Sequence, residues 1–144
     1  MKRIRSGDGF EVQVPESWQR LGEGEDAFTL ADPSGGTGAL QISTALNATD
    51  ERPGLQDLRD VIEALAASNG LGEPSDTSWF ELEGLRGALS TFHHGEDFIR
   101  VWSVTDGKSF ALATYVCRWG SESAELELVD GIVRSLTFGP VAQA

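Results

Sequence analysis

The stretch DFIRVWSVTDGKSFALATYVC, residues 97–117, decides how this chain folds. Two apolar runs of period 2, Phe98 to Val104 and Ser109 to Arg118, flank Asp106-Gly107. Two such runs around Asp-Gly form the strongest short-range hairpin signal a sequence offers. Behind them, SAELELVDGIVRSLTF sets Leu128, Val129, Ile132, Val133 and Leu136 at the 3.6-residue period of an amphipathic helix ending in a short apolar tail. The last third is therefore an antiparallel sheet closed by a covering helix. Gly131, inside that helix, costs about 1 kcal/mol against alanine, which predicts a packing reason such as close approach to the sheet.

Upstream, Phe10, Val12 and Val14 alternate with Glu11 and Gln13, a half-buried strand stopped by Pro15. Pro15-Glu16-Ser17-Trp18 turns the chain and places Trp18 to close one end of the core. The acidic LGEGED turn, residues 21–26, leads into a strand over Ala27–Ala31. DPSGGTG is a loop by composition, and Ala39–Ala45 is a third strand with Leu40, Ile42 and Thr44 on one face. Asn47–Gly54 is a polar link whose Pro53 suits the first turn of a helix. Leu55, Leu58, Ile62 and Leu65, widened by Val61, make a helical stripe opposite Asp57, Asp60 and Glu63, and Asn69-Gly70 stops it. Trp79–Glu83, ending at Gly84, and Leu85–Phe92 read as strands before the hairpin.

Strands joined by short turns pair antiparallel, and two amphipathic helices need a sheet face to cover. The fold class expected is α+β: a central, mostly antiparallel sheet of about six to seven strands flanked by two helices, an α/β/α sandwich. One domain spans residues 1–144, with a core over about 9–138 and short tails at both ends.

The chain carries 11 basic and 23 acidic residues, a formal net charge of −12. Residues 1–22 are balanced at +1, so the remainder carries −13. A field of that sign repels phosphate backbones and anionic membrane surfaces, which argues against both as partners. It leaves a basic protein partner, or plain solubility. The lone Cys117 excludes an intrachain disulfide and a cysteine metal cluster, and its place in an apolar strand makes it a small hydrophobe. The basic start MKRIRSGDGF runs into Ser, Gly and Asp instead of an apolar segment, so the expected location is the cytoplasm.

The order of elements and the residues at both ends resemble a known group. A first strand closing on Pro15-x-x-Trp18, a helix opening Leu55-Gln-Asp-Leu58, hairpin-joined strands and a terminal helix ending Ile132-Val-Arg-Ser135-Leu136-Thr-Phe138 are similar to the PsbP-like superfamily. That group takes in the photosystem protein PsbP, Mog-type Ran-binding proteins and DcrB-like proteins. The resemblance implies a sheet with helices on its two faces and a binding or assembly role, with no shared catalytic residues to carry over.

Chemistry-bearing residue types gather only at His93-His94-Gly95-Glu96-Asp97. His93, His94 and Glu96 are the candidate metal ligands, and a histidine with an acid could also serve as base and orienter. Neighbours on a strand point to opposite faces, so the plainer reading is a polar hairpin tip with no metal. Glu81 and Glu83 read as a solvated strand face before they read as a catalytic carboxylate pair. The glycine-rich Ser34–Gly38 lacks the Lys-Ser/Thr ending of a phosphate loop.

Four tryptophans are many for this length. Trp18 and Trp102 are expected in the core, and Trp119 beside Arg118 has the makings of an interface anchor. The sequence thus predicts a non-catalytic binding or assembly protein without a cofactor. One version is an acidic immunity or inhibitor-type protein that covers a basic partner. The competing version is a small-molecule pocket between sheet and helix lined by Trp79, Trp102 and Tyr115. Trp79, Trp102, Tyr115, Arg118 and Trp119 are the candidate binding residues.

Overall fold

A computed structural model describes residues 1–6, 9–21, 28–46 and 54–138. In chain order its elements are β1 (Lys2–Arg5), β2 (Phe10–Val14), β3 (Gln19–Leu21), β4 (Phe28–Ala31), β5 (Gly38–Leu46), α1 (Leu55–Asn69), β6 (Asp76–Leu82), β7 (Leu85–His94), β8 (Asp97–Thr105), β9 (Ser109–Arg118), α2 (Leu126–Arg134) and β10 (Thr137–Phe138). One 3-10 turn, Glu122–Ala124, precedes α2. The Asn47–Pro53 part of the polar link, the glycine-rich turn from Gly22 through Ala27, and the tail from Gly139 lie outside the described residues.

The Asp106-Gly107 hairpin forms where the sequence places it. β8 and β9 pair antiparallel from Asp97 opposite Arg118 to Thr105 opposite Phe110. At the turn, Asp106 Oδ1 accepts the N–H groups of Lys108 at 2.9 Å and Ser109 at 2.8 Å. Gly107 takes φ 103°, a region open to glycine and strained for other residues. These two strands sit inside a seven-stranded sheet of order β3-β4-β5-β9-β8-β7-β6, antiparallel at every step.

Strand alternation sends side chains to two cores. On one face Phe98, Trp102, Ala113 and Tyr115 meet Phe10, Val12 and Val14 of β2 and Val129, Ile132 and Val133 of α2. On the other, Ala88, Phe92, Ile99 and Val101 meet Leu58, Ile62 and Ala66 of α1. The expected α+β sandwich is present, with one helix on each face. Leu58 is fully buried, and cutting it to alanine would cost about 2–5 kcal/mol by the usual transfer-plus-cavity reckoning. Gly70 closes α1 in the left-handed conformation at φ 65°, as Asn69-Gly70 predicts. Among the described residues no helix is long and apolar enough to cross a membrane.

Three expectations need correction. The N-terminal residues are not a tail: Lys2–Arg5 pairs with Val14–Glu11 as an edge of a second, three-stranded sheet, β1-β2-β10. Glu11 lies 3.6 Å from Arg3 and 3.1 Å from Arg5, and Ile4 packs against the core, so cross-strand pairs hold a segment too short and charged to show a period. Leu21, expected in a turn, ends a strand, Gln19–Leu21, that is exposed along its length. Gly131 does not approach the sheet; it is exposed, and a β-carbon there would meet nothing within 4 Å. Leu128 and Val61 are likewise turned outward at 37% and 38% exposure, so the two helical stripes are narrower than the sequence suggests.

Candidate functional site

The His93–Asp97 segment is a hairpin tip. His94 pairs with Asp97 across Gly95-Glu96, and Gly95 at φ 62° takes the first central position, where a two-residue connection of this kind wants glycine. The two histidines go to opposite faces. His93 stacks on Trp119 with ring centroids 3.6 Å apart and planes within 11°. Trp119 in turn lies 5.9 Å from the Phe98 ring, and its backbone N–H donates to the Glu96 carbonyl at 2.7 Å. Arg118 does not stack on Trp119; it reaches Glu96 at 3.6 Å. The tip is therefore an aromatic stack over the end of the core with an exposed ion pair beside it. Among the described residues no three His, Cys, Asp or Glu side chains come together as a metal site.

Tyr115, a pocket candidate from sequence, is fully buried and structural. Its hydroxyl donates to Glu125 Oε1 at 2.8 Å, and the same oxygen accepts the N–H groups of Thr37 at 3.1 Å and Gly38 at 2.8 Å. This ties the Asp32–Gly38 loop to the entry of α2. Burial, with the Glu125 carboxylate adding to it, pushes the phenol far above its ordinary range. Burial also raises the Cys117 thiol, which makes that sulfur a poor nucleophile and a packing group.

Trp102 is fully buried, and its indole N–H donates to Asp130 Oδ1 at 3.0 Å. Asp130 Oδ2 accepts from Arg134 Nε at 2.6 Å, and the Arg134 guanidinium lies 4.4 Å from the centre of the Phe80 ring. Each polar group is matched, so Trp102 anchors α2 to the sheet.

Trp79 stands apart from these. It pairs with Ala88, whose side chain is on the α1 face, whereas Trp102 and Tyr115 share the α2 face. The three cannot line one pocket. The parity of Trp79 within its strand was visible, but the face it joins follows only from the β6–β7 register.

One feature was missed. A groove of about 490 Å³ opens on the α1 face between α1 and the β6–β7 ribbon. Ile62, Ala66 and Phe92 give it apolar walls, Thr77 and Ser90 add hydroxyls, and Glu73 lies at its margin. No sequence motif marks it, because α1, the loop after it and two strands each contribute a part. β6 beside it is the last strand of the sheet, with Trp79 at 42% and Leu82 at 41% exposure.

No protein-family model matches the chain, and no curated protein matches it. Solved structures do. A Bacteroides thetaiotaomicron VPI-5482 protein superposes with TM-score 0.66 and 16% identity over 99% of this chain, which spans only 50% of that one. Cyanobacterial PsbP (CyanoP) from Synechocystis sp. PCC 6803 superposes with TM-score 0.66 and 14% identity, covering 95% of this chain and 91% of its own. The fold is PsbP-like. At such identities the likeness is one of architecture, and side-chain chemistry has to be argued from this chain alone.

Within this PsbP-like frame the strongest chemical signal is electrostatic. Arg3, Arg5, Arg59, Arg86, Arg100, Arg118 and Arg134 each lie within 4.0 Å of a carboxylate. These seven of the chain's 11 basic residues are thus engaged within the chain, against 23 acidic residues in all.

Proposed function

We propose that this protein is a non-catalytic binding or assembly protein whose acidic surface engages a basic protein partner. The observation that carries the reading is the charge: −12 over 144 residues, with seven arginines already set against carboxylates of the same chain. The PsbP-like architecture supports it, because the resemblance drawn from sequence implies binding and assembly roles. A surface of this kind draws a basic partner from a distance and sets the rate of encounter more than the final affinity. An immunity or inhibitor-type protein that covers the cleft of a basic effector is the most concrete form of this function.

The test is affinity capture from lysate of the source organism at about 50 mM and about 300 mM salt, since screening at the higher salt shortens the Debye length to a few ångströms. A protein rich in lysine and arginine, held at low salt and released at high, is the expected result. Nothing held, or a partner held equally at both salts, would overturn the electrostatic reading.

A further inference from the structure

β6 ends the seven-stranded sheet, and among the described residues it pairs with β7 alone. Edge strands of natural proteins are usually short, or guarded by charged side chains (lysine above all), proline or a bulge, because their free backbone groups invite another strand. β6 runs for seven residues, DTSWFEL, with no lysine and no proline. It also exposes Trp79 and Leu82. No Lys or Arg occurs between Arg59 and Arg86, while Glu73, Asp76, Glu81 and Glu83 all fall on or beside the strand and all are exposed. Arg100 and Arg86, on the inner strands, lie 4.0 Å from Asp76 and 3.9 Å from Glu81, so of these carboxylates those that form no ion pair among the described residues are Glu73 and Glu83, beyond the two ends of the strand.

We propose that β6 is a docking strand for an extended, basic segment of a partner protein, added to the sheet as a further strand. The inference rests on the proposed function and names the site and the chemistry of the partner. Thr77, Trp79 and Glu81 share the α1 side of the strand, next to the groove of about 490 Å³. An incoming segment therefore meets an aromatic centre with carboxylates toward both ends. The matching sequence has apolar residues in its middle and lysine or arginine at its ends, with backbone pairing for affinity and the flanking charges for selection. A second copy of this chain fits poorly, because it would bring its own charge of −12 to the same edge.

The probe is the capped heptapeptide Lys-Lys-Val-Val-Val-Lys-Lys, matched in length to β6, titrated into the labelled protein and followed by backbone amide NMR. Two further peptides carry N-methyl groups at odd or at even positions, which keeps the charge and removes the hydrogen bonds of one peptide edge. The expected result is that amide shifts concentrate on Asp76–Leu82 and the groove, and that one of the two N-methylated peptides binds at least about 10-fold more weakly. Trp79→Ser and Glu81→Lys should each weaken binding by about 5-fold or more, with the melting temperature of each variant measured to show that it folds.

Equal binding by both N-methylated peptides, or shifts spread over the acidic surface, would overturn the docking strand and leave the basic-partner reading standing. No binding at about 50 mM salt would also overturn it, and with an empty lysate capture would remove both readings. A dimer in sedimentation that Trp79→Ser abolishes would overturn it too, by assigning the edge to a second copy.

Discussion

Tyr115 is the only tyrosine in the chain, so its ionisation can be followed without interference. Its folded-state pKa is raised, by burial first and by Glu125 after it. A raised pKa means that the stability it reports is complete below the unfolded value of about 10 and is lost as pH climbs above it, because only the unfolded chain then releases the proton. Phenolate absorbance should therefore rise only together with loss of the fold, as seen by circular dichroism. Titration near pH 10 in an intact protein would show that the Tyr115–Glu125–Thr37 cluster is open to water. At this scale the sequence was informative about Cys117 and Trp18, both of which are buried hydrophobes. It was uninformative about partners. Nothing in the order of residues links Tyr115 to Glu125, or Trp102 to Asp130, because each pair joins elements whose packing is set by the whole sheet.

Two glycines separate packing from permissiveness at the scale of elements. A β-carbon on Gly87 would stand 2.6 Å and 2.7 Å from Phe80 ring atoms and 2.7 Å from Val104 Cγ1. Gly87→Ala should therefore overpack the β6–β7 ribbon and cost about 1–3 kcal/mol. Gly131 has open space around it on the solvent side of α2, so Gly131→Ala should stabilise by up to about 1 kcal/mol through helix propensity. Urea denaturation of both variants reads the two signs directly, and a destabilised Gly131→Ala would mean that α2 is packed against something on that side. The 3.6-residue and period-2 patterns made β2, β9, α1 and α2 legible, because each buries mainly one face, while β8, buried on both, was legible as an apolar run before Asp106-Gly107. β1 and β3 were not legible. They are short and mostly exposed, and they owe their conformation to the strands beside them, which local sequence does not encode.

The whole molecule is a PsbP-like sandwich with a fully antiparallel seven-stranded sheet, and its hairpins and helix stripes are legible in the sequence. The charge was equally legible. The site was not, because the groove and the β6 edge exist only once α1, β6 and β7 are assembled. What the fold adds to the charge is placement: seven arginines are engaged within the chain, and the stretch from Arg59 to Arg86, which holds no Lys or Arg between its ends, includes an open strand. The central claim is that this acidity steers a basic partner. Its most direct test is the association rate with the captured partner, by stopped flow, from about 50 to about 300 mM salt. The account predicts a fall of about 10-fold or more in that rate with little change in dissociation. An association rate that stays flat across the range would contradict it.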